Sequence, residues 1–318
     1  MERLNLPINQ LRIIFLGTPQ FAVASLEKLI EAGAKIVAVV TAPDKPAGRG
    51  MHLQPSAVKT CALKYEIPVL QPTNLKDDSF LNNLKSFNAD LQVVIAFRML
   101  PEKVWNMPPL GTINLHASLL PNYRGAAPIN WAIINGEKET GVTTFLLQHE
   151  IDTGDILLQE KIEITENSNA GILHDALMTL GAEVIVNTVK MVANKSITSI
   201  PQGQNSTKIA PKIFTENCLI NWQKSGKEII QLILGLSPYP GAFTQINGQT
   251  FKIYNAKFEK GTPTTEIELI SGKINQLRFS CSDGWIYPLD VQLQGKKRMG
   301  IDDLLRGWNP LFKNFKFI

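Results

Sequence analysis

Short apolar segments alternate with amphipathic segments through the first two thirds of the chain, and this alternation restricts the possible folds most strongly. Leu11–Leu16 is an apolar run, and Ser25–Ala32 then carries leucine and isoleucine on one helical face. Further apolar runs follow at Ile36–Thr41, Leu91–Phe97 and Thr112–Leu115. Strands that are apolar on both faces, with helices between them, predict an α/β fold with a parallel sheet covered on both sides. Such a sheet binds ligands beyond the carboxyl ends of its strands.

The pattern changes after about residue 190. Residues 194–210 are polar and include Pro201 and Gly203, which is typical of a linker. Short strands punctuated by turn residues follow, and they predict a small β-barrel or sandwich closed by a short helix. These segments are Phe251–Lys257, Glu266–Ile270, Gln276–Cys281, Trp285–Gln292 and the helix Ile301–Arg306. Because 318 residues exceed what one core usually holds, we expect an N-terminal domain (1–193), a linker (194–210) and a C-terminal domain (211–318).

Charge is distributed unevenly between the two parts. Residues 191–318 hold 16 Lys and Arg against 9 Asp and Glu, whereas residues 1–190 hold 16 against 19. A basic C-terminal part suits a nucleic-acid partner, although solubilising charge alone is an equally simple explanation. The apolar runs are shorter than the roughly 20 residues of a membrane span, and no secretory leader is visible. The three cysteines are far apart in the sequence and predict buried free thiols in a reducing cytoplasm.

Asn114 and His116 form the densest chemical signal. Residues two apart on a strand project to the same side, so this polar pair faces away from Ile113 and Leu115. An asparagine amide can donate to a developing oxyanion, and a histidine can carry a proton near neutral pH. The pair at the end of an apolar strand therefore indicates a catalytic site.

The segment Asp152–Asp155 (DTGD) provides a candidate carboxylate for the same site as Asn114 and His116. Gly154 allows a tight turn, which can direct one carboxylate into a cleft while the other faces water. Two carboxylates without further acidic ligands do not predict a metal site. The turn after the first strand has one glycine where dinucleotide-binding loops have three, so a dinucleotide is excluded. Thr18 and Pro19 there predict a helix N-cap and a first helical residue.

Residues 41–50 form a long loop that is rich in proline, glycine and basic residues. Such a loop is either a surface excursion or a segment that engages nucleic acid, with Lys45 and Arg49 as the phosphate contacts.

Several segments occur together in an order that is typical of one family. They are Gly17–Phe21 (GTPQF), Asp44–Gly50 (DKPAGRG), Asn114–Pro121 (NLHASLLP), Tyr123–Ile129 (YRGAAPI), Ile151–Asp155 (IDTGD), Lys212–Glu216 (KIFTE), Ser237–Phe243 (SPYPGAF) and Gly295–Met299 (GKKRM). From about residue 10 to its end, the chain resembles the methionyl-tRNA formyltransferase family. The resemblance implies a Rossmann-like formyltransferase domain followed by a small, OB-like β-barrel domain that binds tRNA.

The resemblance also implies a reaction. The co-substrate 10-formyltetrahydrofolate would supply the formyl group, and the amino group of initiator methionyl-tRNA would receive it. Asn114 and protonated His116 would stabilise the oxyanion of the tetrahedral species. Asp152 would keep His116 charged and help to move the proton of the amine.

Binding residues follow from the same resemblance. The folate pocket would be lined by Phe97, Arg98, Leu100, Ser118, Leu119, Leu120 and Pro121. Arg98 stands where the family commonly has glycine, which places a side chain near the expected pterin site. The basic loop, with Lys45 and Arg49, matches a tRNA-contacting insertion of the family. The positive charge beyond residue 190 adds further candidate tRNA contacts, which are Lys208, Lys212, Lys252, Lys296, Lys297 and Arg298. No metal, membrane or protein partner is implied, and we expect a cytoplasmic monomer.

Two alternatives remain open on sequence grounds. A formyltransferase that acts on a small amine, such as an amino sugar nucleotide, would have nearly the same catalytic half. The basic loop and the basic C-terminal part argue against it, because a small acceptor needs neither. An RNA-binding module without catalysis is the second alternative, and the intact Asn114, His116 and Asp152 argue against it.

Overall fold

The structure is a computed structural model that describes residues 7–47, 51–203, 208–263, 267–270 and 276–306. The elements up to residue 210 are β1 (Arg12–Gly17), α1 (Gln20–Glu31), β2 (Lys35–Val40), β3 (Lys45–Ala47), β4 (His52–Gln54), α2 (Ala57–Lys64), β5 (Val69–Leu70), α3 (Asp78–Ser86), β6 (Leu91–Ile95), α4 (Glu102–Trp105), β7 (Thr112–His116), β8 (Arg124–Gly125), α5 (Pro128–Ile134), β9 (Glu139–Leu146), β10 (Ile156–Glu163), α6 (Ala170–Ala193) and β11 (Ile209–Ala210).

The remaining described elements, from residue 211 on, are mostly strands. They are a 3-10 turn (Thr215–Cys218), α7 (Gly226–Gly235), β12 (Ala242–Ile246), β13 (Gln249–Lys260), β14 (Ile267–Ile270), β15 (Gln276–Cys281), β16 (Gly284–Leu293), β17 (Met299–Gly300) and α8 (Ile301–Arg306). Each segment beyond residue 210 that the sequence predicted as a strand overlaps an observed strand, and the closing helix is confirmed. Glu266, the first residue of one predicted strand, lies outside the described residues.

Seven strands form the main sheet in the order β10-β9-β7-β6-β1-β2-β5. The pairs β1–β2, β1–β6, β2–β5 and β6–β7 are parallel, while β9 runs antiparallel to β7. The predicted Rossmann-like parallel sheet is confirmed, with the antiparallel β9 as an addition that the sequence did not show. Because the chain passes from β1 to β2 on one side and returns to β6 on the other, the strand order reverses between β1 and β6. Ligands of open α/β sheets bind beside such a reversal.

Each face of the sheet carries its own apolar core. On one face, Leu16 and Val94 pack with Phe80 and Leu84 of α3 and with Val104 of α4. On the other face, Leu115 of β7 lies against Gly181 of α6. The Thr144 and Thr188 hydroxyls, 2.8 Å apart, add a polar link between β9 and α6. Since strand side chains alternate, α6 on the Leu115 face leaves Asn114 and His116 on the opposite face.

Helix α1 begins one residue later than the sequence predicted. Pro19 is the N-cap in an extended conformation, with φ −81° and ψ 174°, and no side chain caps the helix. The prediction of Thr18 as N-cap with Pro19 inside the helix is therefore wrong. The Pro19 carbonyl accepts a hydrogen bond from the Ala22 amide at 3.0 Å, so the first turn closes without a threonine cap.

The C-terminal strands form an antiparallel half-barrel in the order β12-β13-β16-β15-β14, with β17 paired to β16. The long strand β13 pairs with β12 on one edge and with β16 on the other, and its register with β16 shifts around Asn255. The core of this sheet includes the fully buried Phe251 and Phe279, and Trp222 stacks on Phe279 with ring centroids 4.6 Å apart. The predicted OB-like β-barrel class is thus confirmed.

Backbone contacts divide the chain into two compact units. The first comprises Met1–Gly125, Thr140–Ile162 and His174–Ile209, and the second comprises Ala126–Glu139, Glu163–Leu173 and Ala210–Ile318. Within the second unit, Asn130 of α5 donates to the Gly235 carbonyl at the end of α7, at 2.7 Å. Segments from the middle of the chain therefore contribute to the unit that holds the half-barrel. The domain boundaries at residues 193 and 211 stay a prediction.

Helix α6 is, in the part of the chain that the structure describes, the single helix whose length and hydropathy would suffice to cross a membrane. Half of its most apolar window is buried inside the protein, as in the core helix of a soluble domain. Cys61, Cys218 and Cys281 are free and buried, which confirms the prediction of buried free thiols.

Candidate active site

Asn114 and His116 lie at the carboxyl end of β7. Asn114 pairs in register with Val94 of β6 and with Phe145 of β9, so it sits well inside the sheet. His116 is buried, with 8% of its surface exposed, whereas Asn114 is half-buried. Within the described residues, the Asn114 side chain has no hydrogen-bond partner. A half-buried amide without a protein partner is available to a ligand.

Both nitrogens of the His116 ring face acceptors. Nε2 lies 2.8 Å from the Tyr123 carbonyl oxygen, and Nδ1 lies 3.8 Å from Asp152 Oδ2. A neutral imidazole carries one N–H, whereas an imidazolium carries one on each nitrogen. The surroundings are therefore complementary to the charged ring: one nitrogen donates to a carbonyl and the other faces a carboxylate.

Asp152 belongs to the turn between β9 and β10. Its φ of +54° lies in the left-handed region, which is uncommon for residues other than glycine, although aspartate adopts it more often than most. Asp152 Oδ2 accepts a hydrogen bond from the Gly125 amide at 3.0 Å, and its side chain is only 12% exposed. A glycine is required at position 154, two residues after Asp152, because a Cβ there would lie 1.6 Å from the Leu146 carbonyl oxygen. The turn thus directs Asp152 toward His116, while Asp155 meets the Ser199 hydroxyl at 3.4 Å near the surface.

A threonine and a glutamine hold the loop Ser118–Pro121. The Thr143 hydroxyl donates to the Ser118 carbonyl at 2.6 Å and accepts from the Leu120 amide at 3.1 Å. Gln159 Nε2 donates to the Leu120 carbonyl at 2.7 Å and to the Thr143 hydroxyl at 2.9 Å. The Ser118 hydroxyl closes the loop through the Asn122 carbonyl at 2.8 Å. The four predicted pocket residues of this loop, Ser118, Leu119, Leu120 and Pro121, are therefore held by two neighbouring strands.

The other predicted pocket residues follow β6. Ala96, directly after the strand, has a left-handed φ of +48°. Phe97 and Leu100 pack into the core beneath the sheet, whereas the Arg98 side chain is exposed. The Arg98 guanidinium donates to the Thr73 carbonyl at 3.0 Å and to the Pro72 carbonyl. Arg98 therefore ties the loop after β6 to the segment after β5.

The basic loop of residues 41–50 includes β3, which pairs with β4 in a short hairpin, and Lys45 is exposed on β3. Arg49, the other predicted contact in this loop, lies outside the described residues. At the base of the hairpin, Asp44 meets Lys59 Nζ at 2.6 Å and Gln71 Nε2 at 2.8 Å. The Lys59 hydrogen bond, followed by that of Gln71, lowers the pKa of the Asp44 carboxyl. Asp44 is thus an anchor for the hairpin.

The remaining basic candidates differ in how they are held. Lys296 and Lys297 are exposed between β16 and β17. Arg298 is paired with Asp290 and lies over the Tyr254 ring, 4.2 Å from its centroid. Lys208 Nζ lies 6.0 Å from the Tyr123 ring centroid, and Lys212 Nζ lies 5.5 Å from that of Phe214. Lys252 donates to the Pro240 carbonyl at 2.8 Å. Among these residues, Lys296 and Lys297 are the most open to a partner.

The residues that support this arrangement were not identified from the sequence. Thr143, Gln159 and Gln202 contact the catalytic candidates or their loops, but each is a common polar residue without a motif of its own. Among the described residues, no group of three His, Cys, Asp or Glu side chains is arranged to hold a metal ion.

Sequence comparison connects the chain to known proteins. A profile of the formyl transferase family matches residues 11–189, and a profile of the formyl transferase C-terminal domain matches residues 212–309. A methionyl-tRNA formyltransferase of Flavobacterium johnsoniae is 53% identical over 306 residues, which cover 94% of this chain and 97% of that protein. A methionyl-tRNA formyltransferase of Bacteroides fragilis is 48% identical over 309 residues, with 94% and 95% covered.

Solved structures share the fold at lower identity. An N-formyltransferase from Helicobacter canadensis, crystallised with folinic acid and dTDP-3-aminofucose, gives a TM-score of 0.63 at 20% identity over 87% of this chain and 98% of that chain. HypX from Aquifex aeolicus with tetrahydrofolic acid gives 0.61 at 18% identity over 96% of this chain. The chain spans about half the length of HypX, with 50% of that protein covered.

Proposed function

Because the chain belongs to the formyl transferase family and aligns with 97% of a methionyl-tRNA formyltransferase, we propose that it formylates the amino group of initiator methionyl-tRNA. The formyl donor is a folate, and we propose 10-formyltetrahydrofolate as its form. One observation carries the chemical part of the proposal. The free amide of Asn114 and the His116–Asp152 pair lie together at the carboxyl end of β7, next to the reversal of strand order.

Formyl transfer to an amine makes two demands on a site. Negative charge develops on the formyl oxygen as the nitrogen attacks, and the nitrogen must then lose a proton. When the oxyanion collapses, the bond between the formyl carbon and the folate nitrogen breaks, and that nitrogen takes up a proton so that tetrahydrofolate leaves. The Asn114 amide is suited to the first demand, because its N–H groups have no partner among the described residues. One oxyanion donor is worth about 10²–10³-fold in rate.

His116 and Asp152 are suited to the second demand and to charge stabilisation. The buried imidazole is oriented by the Tyr123 carbonyl at 2.8 Å and by the Asp152 carboxylate at 3.8 Å. In its charged form the ring adds positive potential beside the developing oxyanion, and Asp152 balances that charge. Positioned proton transfer contributes about 10²–10⁴-fold. We assign Asp152 to holding the charged ring and to receiving the proton of the amine, directly or through water.

The folate donor requires a partly enclosed pocket with a few fixed polar groups. The backbone of Ser118–Pro121 is held by Thr143 and Gln159, and Arg98 is turned onto the carbonyls of Pro72 and Thr73. Arg98 therefore has a structural attachment of its own to the segment after β5. The donor supplies the one-carbon unit, and these chain segments bind and orient it.

A tRNA acceptor requires phosphate contacts outside the chemical site. Exposed lysines on the hairpin (Lys45) and between β16 and β17 (Lys296, Lys297) are suited to this role, as is the excess of basic over acidic residues beyond residue 190. We propose that the enzyme acts as a monomer and, because its acceptor is an aminoacylated tRNA, in the cytoplasm.

An acceptor competition distinguishes this function from formylation of a small amine. The purified protein and labelled 10-formyltetrahydrofolate are given initiator methionyl-tRNA, free methionine or a nucleotide-linked amino sugar. We expect label to enter methionyl-tRNA alone, and Asn114→Ala to lower that rate by at least about 10²-fold. Transfer to the amino sugar in preference to methionyl-tRNA would overturn the proposed acceptor, and tRNA binding without transfer would indicate a non-catalytic RNA-binding module.

A further inference from the structure

Gln202 connects three parts of the candidate site. Its side-chain Nε2 donates to the Asp152 carbonyl at 3.0 Å and to the Gly154 carbonyl at 2.7 Å. Its Oε1 accepts from Arg124 Nε at 3.1 Å and from Arg124 Nη2 at 2.6 Å. An amide side chain has two N–H donors and two acceptor positions, so Gln202 uses its full hydrogen-bonding capacity in these contacts.

The segment that Arg124 belongs to touches both catalytic partners. On one side of Arg124, the Tyr123 carbonyl accepts from His116 Nε2 at 2.8 Å. On the other side, the Gly125 amide donates to Asp152 Oδ2 at 3.0 Å. Gln202 therefore links the backbone that orients His116 to the turn that carries Asp152.

The turn needs such support because its backbone is strained. Asp152 has a φ of +54°, a conformation that persists in residues other than glycine only where the surroundings enforce it. The two hydrogen bonds from Gln202 Nε2 act on the carbonyls of Asp152 and Gly154, on either side of the intervening residue. Without them, the turn can relax and change the 3.8 Å separation between Asp152 Oδ2 and His116 Nδ1.

We propose that Gln202 is a positioning residue that sets the distance between the Asp152 carboxylate and the His116 imidazole. This inference rests on the proposed function, since it assumes that the pair serves formyl transfer. It assigns a role to a residue in the segment that the sequence predicted to be a linker. Displacements of about 1 Å in a catalytic group can cost about 10²-fold in rate, which is the size of effect expected here.

Two substitutions separate the donor function of Gln202 from its contact with Arg124. Gln202→Met removes both donors and the acceptor at similar length. Gln202→Glu keeps the shape and the acceptor for Arg124 but places a carboxylate beside two carbonyl oxygens. We expect both variants to lower the single-turnover rate by about 10²-fold and to leave the KM values of methionyl-tRNA and folate within about threefold. Gln10→Met, at the amino end of β1, is the matched control and should keep the parent rate.

A double variant tests whether Gln202 acts through Asp152. In an Asp152→Asn background, the added Gln202→Met should cost less than about threefold, because residues that act as a unit are not additive. Circular dichroism and the melting temperature verify that each variant is folded.

Three results would overturn the inference. Gln202→Glu at the parent rate would mean that the Arg124 contact alone matters. If Gln202→Met lowered the single-turnover rate by the same factor in the parent protein and in the Asp152→Asn variant, the cause would be general destabilisation. A slow Asp152→Asn variant beside a fast Gln202→Met variant would reject positioning while leaving the proposed function intact, whereas failure of the parent protein to formylate methionyl-tRNA would reject the function itself.

Discussion

Replacing Asp152 by asparagine tests the chemistry with the smallest change in shape. The asparagine carbonyl can still accept the hydrogen bond from the Gly125 amide, which spans 3.0 Å in the parent structure. What is lost is the negative charge 3.8 Å from His116 Nδ1. At this separation and an effective dielectric constant of about 20, two unit charges attract by about 4 kcal/mol. Since about 1.4 kcal/mol corresponds to a factor of ten in rate, the loss has an upper limit of about a thousandfold.

We expect the rate of the formyl-transfer step to fall by about 10²–10³-fold in Asp152→Asn, because the pair is strongest when the ring is charged in the transition state. The KM values of both substrates should change little. Single-turnover experiments with enzyme in excess over labelled folate donor and methionyl-tRNA measure this step directly. His116→Ala combined with Asp152→Asn should cost far less than the product of the two single losses.

Asp155→Asn is the matched control for this prediction. Asp155 lies in the same turn, but its carboxylate meets the Ser199 hydroxyl at 3.4 Å rather than His116. The same loss of one charge should therefore leave the single-turnover rate near that of the parent protein. A folded, folate-binding Asp152→Asn variant that transfers formyl at the parent rate would refute the reasoning, as would a greater loss in Asp155→Asn.

Three further predictions concern the basic loop of residues 41–50, the lysines between β16 and β17, and a buried thiol. Lys45→Ala and Arg49→Ala should each lower kcat/KM for methionyl-tRNA by an amount equivalent to about 1–3 kcal/mol, while the KM of the folate donor stays unchanged in steady-state kinetics. An effect on folate alone would contradict the assignment of this basic loop to tRNA binding. Lys296→Ala and Lys297→Ala should each lower the slope of log affinity against log salt concentration by about one in tRNA-binding titrations, and an unchanged slope would remove them from the interface. Burial raises the pKa of the Cys61 thiol to about 11, so the reactive thiolate becomes abundant only as the pH approaches that value. At pH 8 iodoacetamide should thus label Cys61 far more slowly in the native than in the unfolded protein, as followed by mass spectrometry, and equal rates would disprove the protection.

The spacing of residues along single elements was sufficient to predict much of the candidate site. Asn114 and His116 share a face because side chains alternate on any strand, and Leu115 then faces α6. Gly154 was interpreted as a turn residue, and the space for a Cβ at that position is indeed filled by the Leu146 carbonyl. The helix start at Gln20 shows the limit of local patterns, since Thr18 resembles an N-cap but Pro19 holds that position.

The local sequence thus determined the strands β1, β2, β6 and β7 of the main sheet, the face of the polar pair and the position of the acidic turn, because backbone geometry fixes side-chain direction over a few residues. The strands β5, β9 and β10 of the same sheet were not predicted. Only the tertiary structure decided what those side chains meet. The contact of Gln202 with the turn of Asp152 spans 50 residues, and that of Arg124 with Gln202 spans 78. Segments 126–139 and 163–173 likewise belong to the unit that holds the half-barrel, although they are distant from it in the sequence. Such contacts depend on how packed elements meet in space, and no periodicity in the intervening residues records that geometry.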